Sequence, residues 1–227
     1  MDVSHPLDRP VWHALTTRQA AFAEGDGQAW RYAAPYGVFA AAADPSPDAQ
    51  AALVALAPAQ GAIAVHETVP IAPPPGLRLV RQPVIDQMIA PDFPADAPDD
   101  GIEPLGDLDA AEMLALATLT EPGPFFATTH QLGDFIGIRC DGKLAAMAGE
   151  RMKLPGFAEV SAICTHPDHR GHGYAGRLAR LVAARIAARG ETPFLHVYPH
   201  NIGAIRLYEA MGFRLRRKMV LSVFARS

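Results

Sequence analysis

Three histidines and three glycines crowd one segment, Glu159-Val-Ser-Ala-Ile-Cys-Thr-His-Pro-Asp-His-Arg-Gly-His-Gly-Tyr-Ala-Gly176. Gly171 and Gly173 let the backbone turn tightly just before a helix expected from Tyr174. Successive N–H groups are then exposed at the helix start, where free donors and the helix dipole favour an anion. A pyrophosphate fits such a place. A nucleotide-sized ligand is therefore the first chemistry to weigh.

Other readings of the segment are weaker. Gly171-His-Gly173-Tyr-Ala-Gly176 also satisfies G-x-G-x-x-G, the dinucleotide fingerprint. A Rossmann strand runs straight into its first glycine, whereas His166 to Arg170 intervene here, and the following strand ends in Tyr198-Pro199 rather than an acidic ribose ligand. His166, His169 and His172 sit at threes on a loop broken by Pro167, with no carboxylate or cysteine set to complete a metal site, so no metal is expected. Cys164 is a lone cysteine, more simply a small buried apolar group than a nucleophile.

The elements that must position this loop follow from periodicity. Phe135–Cys140, the turn Asp141-Gly142 and Leu144–Met152 read as a hairpin, because Asp-Gly readily takes the positive φ angles of a tight turn. A strand over 157–165 leads into the loop. The helix over 174–189 carries Leu178, Leu181, Val182 and Ile186 on one face and stops at Gly190. A short apolar strand, Phe194–Tyr198, precedes a helix capped by Asn201 and stopped by Gly212, then a long strand over 213–224. Upstream, Asp109 and Glu112 suggest a capping box for a helix burying Met113, Leu114, Ala117 and Leu119. Ser46–Leu56 reads as a helix, and Ala62–Glu67 and Leu77–Val80 as strands.

A second block, Asn201-Ile-Gly-Ala-Ile-Arg-Leu-Tyr208-Glu-Ala-Met-Gly212-Phe213, accompanies the loop, and the two together resemble the GNAT superfamily of N-acetyltransferases over about residues 107–227. The family's phosphate loop, Gln/Arg-x-x-Gly-x-Gly/Ala, stands here as Asp168-His-Arg-Gly171-His-Gly173, with Asp168 departing from the pattern at its first position. The resemblance implies an α+β fold: a mixed, mainly antiparallel sheet flanked by helices. It implies acetyl-CoA as acyl donor and a primary amine as acceptor, joined by direct attack in a ternary complex. It further implies that His169, Arg170, Gly171, His172, Gly173, Tyr174 and Ala175 hold the pyrophosphate. Main-chain groups of Ile163, Cys164 and Thr165 would pair with the pantetheine arm, and Asn201 would contact the cofactor.

By the same resemblance Tyr208 would be the general acid, giving its phenolic proton to the departing thiolate. Glu159, at the start of the strand, matches the position of a glutamate base in several family members, with Glu150 as second candidate and water as a third. The acceptor is expected beside the loop Glu121–Gln131, with Phe125, Phe126 and His130 as lining residues and Glu121, Asp134, Glu150 and Glu159 giving that side an acidic cast. A non-catalytic acyl-CoA-binding regulatory module is the alternative from another functional class.

Composition sets the outer limits. The 227 residues carry a net charge of −4, 49% hydrophobic and 19% charged residues, so a globular protein with no field drawing it to nucleic acid or anionic lipid is expected. Cys140 and Cys164 are the two cysteines, with no Cys-x-x-Cys pair and no apolar run of membrane length, which fits a cytoplasmic protein, monomer or homodimer. Pro91 to Pro104, rich in Pro and Asp, reads as a linker. It divides an N-terminal domain, 1–98, from a catalytic domain, 99–227. The first half lacks a Gly-x-Gly before a helix and is expected to be a degenerate copy of the same fold with no cofactor site, walling the acceptor groove.

Overall fold

The computed structural model describes residues 5–227. A short helix, α1 (Pro10–Leu15), comes first, followed by β1 (Ala23–Gly25), β2 (Ala29–Tyr32) and β3 (Ala40–Ala42), which form a small antiparallel sheet of their own. Helix α2 (Pro47–Leu56) starts where Ser46 accepts a hydrogen bond from the Ala49 N–H, with Pro47 in the first turn. Strands β4 (Ile63–Glu67), β5 (Leu77–Arg81) and β6 (Val84–Ile89) complete the N-terminal segment.

Then come β7 (Glu103–Leu105), α3 (Ala110–Thr120), β8 (Phe135–Cys140), β9 (Lys143–Leu154) and β10 (Phe157–Thr165). The last elements are α4 (Tyr174–Ala188), β11 (Thr192–Val197), α5 (Ile202–Ala210) and β12 (Arg214–Arg226). At the hairpin between β8 and β9, Asp141 and Gly142 have φ of 50° and 75°, as a two-residue turn of that twist requires.

The main sheet has nine strands in the order β4-β12-β6-β11-β10-β9-β8-β7, with β5 also paired to β12. Every pairing in it is antiparallel except β10 with β11. The architecture is thus the expected mixed, mainly antiparallel sheet flanked by helices. Strands from both sides of Asp99 share it: β6 lies between β11 and β12 and bonds to both. The boundary expected near Asp99 therefore does not separate one sheet from another. The first segment does not repeat the fold of the second either, since half its strands form the small sheet and half complete the large one. The physical reason is edge satisfaction. Without β6, facing edges of β11 and β12 would present unpaired N–H and C=O groups. The expected linker also contains structure, for β7 begins inside it and Phe93 packs on Phe213 at 5.7 Å between ring centroids.

One face of the sheet packs against α4, whose Leu178, Leu181, Val182 and Ile186 are all buried as the periodicity predicts. Each such side chain contributes roughly 1.5–3 kcal/mol by leaving water. The opposite face packs on α1, the turn before it and the small sheet with its neighbouring residue Phe39, through Leu7, Val11, Leu15, Tyr32 and Phe39 against Met152, Leu154, Phe194, Met219 and Leu221. Two details of α3 differ from expectation. Glu112 does not close a capping box with Asp109: Arg139 takes both carboxylates, at 2.6 and 2.5 Å, and Asp109 instead accepts the Gly106 N–H at 2.9 Å. Leu116 is buried where Leu119 was expected, and Leu119 is exposed.

Candidate active site

The parallel pair β10 and β11 shapes the site. They are in register only from Phe157↔Thr192 to Glu159↔Phe194, and then diverge. Past that point β10 also bulges between Ser161 and Cys164, with Ala162 at a φ of 52°, unusual for a residue bearing a Cβ. The diverging strands open a cleft of about 1690 Å³ lined by both, by the start of α4, by α5 and by the loop after α3.

At one end of the cleft stands the glycine loop. Gly171 and Gly173 have φ of 84° and 74°, in the left-handed region that glycine enters without strain, and Gly173 caps α4. The first N–H groups of α4, from Tyr174, Ala175 and Gly176, have no partner inside the helix and lie in the cleft wall. His169 and Arg170 line the same wall. Asp168 is turned to solvent near His166. His172, the one loop residue expected at the pyrophosphate that does not line the cleft, stacks on Tyr174 at 5.5 Å. His166, His169 and His172 do not gather around a common point: among the described residues no three His, Cys, Asp or Glu side chains are grouped as metal ligands.

Along β10, Ile163, Cys164 and Thr165 all line the cleft where the bulge interrupts the ladder to β9. The Thr165 hydroxyl is buried there without a hydrogen-bond partner among the described residues, an orphan that a bound amide-bearing chain could satisfy. Burial pushes the Cys164 thiol up to about 11, which removes the thiolate a nucleophile needs. On α5, the Asn201 side chain accepts the Ala204 N–H at 3.2 Å as the N-cap, keeping its amide donors free. Two helical turns on, Tyr208 is 8% exposed in the same wall, and burial pushes its phenol up to about 12. A phenol held that high keeps its proton at neutral pH.

Glu159 is in the cleft wall but is not free. Arg151 binds both its oxygens, at 2.9 and 2.7 Å, and His196 Nδ1 lies at 2.8 Å. Burial alone would raise its carboxyl, yet Arg151 and the His196 bond more than offset that and hold it well below the usual carboxylate range. To take up a proton Glu159 would have to give up bonds to Arg151 or His196, which already occupy both its oxygens, and that counts against the base role expected of it. Glu150 does not line the cleft; it is 1% exposed and pairs with Arg189 and Lys153 at 2.7 and 2.8 Å. Phe125, Phe126 and Glu121 line the cleft as expected, but His130 does not, because it is drawn to Asp107 at 2.8 Å. With Asp134 near Arg189, the acidic cast reduces to Glu121 at the rim.

Sequence reasoning expected the first 98 residues to wall the groove but named none of the residues at the far end of the cleft. Phe39, His66, Arg81, Gln82 and Ile85 come from the first 98 residues, and Arg151 and His196 from β9 and β11. The signal available was a histidine in an otherwise apolar strand, Ala62-Ile-Ala-Val-His66. Fixed polar partners run behind His196. Arg216 donates to Gln87 Oε1 at 2.9 Å, so the Gln87 amide nitrogen faces His196 Nε2 at 3.1 Å. His196 Nδ1 therefore donates to Glu159.

An α+β sheet opened by a bulged strand, with a glycine-capped helix start facing the opening, is the architecture of an acyltransferase of the resembled type. Comparison with known proteins gives the family. A GNAT-family protein of Novosphingobium aromaticivorans has 49% identity over 99% of this chain and 100% of its own, with a TM-score of 0.91. The family described as FR47-like protein matches residues 135–222. A GCN5-related N-acetyltransferase from Kribbella flavida (18% identity, 95% of this chain and 92% of its own, TM-score 0.60) shares the fold. So does a GCN5-related N-acetyltransferase-like protein from Streptococcus suis (15%, 98% and 94%, TM-score 0.59). No curated protein matches. The chain belongs to the GNAT family of acetyltransferases. Among the described residues no helix is long and apolar enough to cross a membrane.

Proposed function

We propose that the protein moves an acetyl group from acetyl-CoA to a primary amine, on a small molecule or a peptide, by direct attack in a ternary complex. One observation carries the reading: a single cleft joins the glycine-capped start of α4 to a Tyr208 phenol that burial keeps protonated. The residues present fit the donor. The α4 amides and Arg170 suit its pyrophosphate, the bulge and the orphaned Thr165 hydroxyl suit its amide-bearing arm, and the free Asn201 amide adds a donor nearby. The donor supplies an activated acyl carbon. Tyr208 donates its proton to the leaving sulfur.

The raised Cys164 thiol supports direct transfer rather than an acyl-enzyme. The two free cysteines also suit a cytoplasmic setting. A second reading, a regulatory module that binds acyl-CoA without turnover, draws on the ion pair that occupies Glu159. Thiol release from acetyl-CoA, screened over free amines, amino acids and N-terminal peptides, tests between them. Turnover on any acceptor supports transfer; tight coenzyme A binding with no turnover across the panel supports the module.

A further inference from the structure

The cleft lacks an obvious proton acceptor once Glu159 is bound to Arg151, and an ammonium must lose a proton before it can attack. Of the other cleft residues with a titratable lone pair, His196 has both ring nitrogens engaged. His169 belongs to the glycine loop and approaches His166 at 5.8 Å. His200 stacks on Tyr198 at 5.3 Å. Glu121 is exposed at the rim.

His66 is different. It lies on β4, is 3% exposed, and still lines the cleft. Its Nδ1 is buried with no hydrogen-bond partner among the described residues, a costly position that calls for an explanation. Its ring packs on His196 at 4.7 Å and on Phe39 at 5.1 Å. The charged or titratable groups facing it are Arg151 from β9, Glu159 from β10 and His196 from β11, while β12 presents Leu221 in register. Burial first, then His196 and Arg151, hold the ring well below the ordinary histidine value against the opposing pull of Glu159, so it is neutral at pH 7.

We propose that His66 is the proton acceptor for the incoming amine, so that the first 98 residues supply a catalytic residue to the cleft. This rests on the acyl-transfer reading above. The ammonium gives one proton to the His66 imidazole, which later releases it to solvent. The freed amine lone pair forms the C–N bond to the acyl carbon, and the C–S electron pair leaves on sulfur. Sulfur takes the Tyr208 proton, and Tyr208 recovers one from the nitrogen that is becoming an amide. The balance is one ammonium and one thioester giving one amide, one thiol and one proton.

The test compares the wild-type chain with H66Q on two nucleophiles, benzylamine, charged at neutral pH, and hydroxylamine, largely uncharged there. Coenzyme A binding by calorimetry runs alongside. The proposal expects H66Q to bind coenzyme A as the wild type does, to lose roughly 10²-fold or more in kcat/KM on benzylamine at pH 7, to regain most of it as pH rises, and to change little on hydroxylamine. Equal losses on both nucleophiles, or no loss on benzylamine, overturn it. A wild-type chain that binds coenzyme A but acylates neither nucleophile overturns the acyl-transfer reading itself, and His66 as base with it. If H66Q does not fold, ¹⁵N NMR of the histidine rings in the wild-type chain with coenzyme A bound decides at pH 6. A neutral His66 with a free ring nitrogen supports the proposal, and a protonated or doubly bonded ring overturns it.

Discussion

Replacing Arg151 by Met would strip Glu159 of its two charge-assisted hydrogen bonds while leaving it 1% exposed. An unpaired buried carboxylate is costly, and the lowest-cost escape is to take up a proton. The folded mutant then holds a proton that the unfolded chain, with an ordinary value of 4.5, has released. At pH 7 that difference is worth about 3.4 kcal/mol, and at pH 5 about 0.7 kcal/mol, at ~1.36 kcal/mol per unit.

The signs are opposite in the two proteins. In the wild type the Glu159 value is depressed, so its contribution is present above 4.5 and is lost as pH falls below it. In Arg151→Met the value is raised, so stability is lost as pH climbs above 4.5. The His66 contribution, present above the ordinary histidine value and lost as pH falls below it, is common to both to first order. Urea titrations of both proteins between pH 5 and 7 should show the mutant deficit narrowing by roughly 2.7 kcal/mol toward pH 5, with unchanged m. A deficit below about 1 kcal/mol at pH 7, or one that does not change with pH, would refute the view that this ion pair keeps Glu159 charged.

Other perturbations address the rest of the cleft. Tyr208→Phe should keep its fold and lower kcat in the thiol-release assay by about 10²- to 10⁴-fold; wild-type kcat at all pH values would remove the general-acid role. Gly173→Ala meets no atom within 4 Å, so its cost is the left-handed φ alone, about 1–2 kcal/mol, and coenzyme A affinity measured by calorimetry should fall with it. Cys164→Ala should retain turnover within a few-fold and show no acyl adduct by mass spectrometry, whereas an adduct on the wild-type thiol would contradict direct transfer. A chain starting at Asp99 lacks β6 and its bonds to β11 and β12, and is expected to show no cooperative thermal unfolding; a stable, active fragment would contradict the shared sheet.

What the sequence could say was local. A helix start, a two-residue turn and an apolar stripe are written in adjacent residues, so α4, the β8–β9 hairpin and the Asn201 cap were legible, as was the glycine loop that faces the cleft. The capping box of α3 was misread because its competitor, Arg139, comes from β8, 30 residues away in the chain.

The chemistry of Glu159 lay beyond local reading for a similar reason. Residue type and position marked a carboxylate at a strand start, but whether a carboxylate is a base depends on what shares its burial. Only the folded chain brings Arg151 and His196 to it, and only the folded chain inserts β6 between β11 and β12 and carries β4, with His66, to the far wall of the cleft. Sheet order and burial are set by pairings between distant segments, and those pairings decide which side chains share a dielectric and a proton. The sequence alone determined the family and the glycine-loop end of the cleft; tertiary structure decided which groups at the other end are paired and which are free.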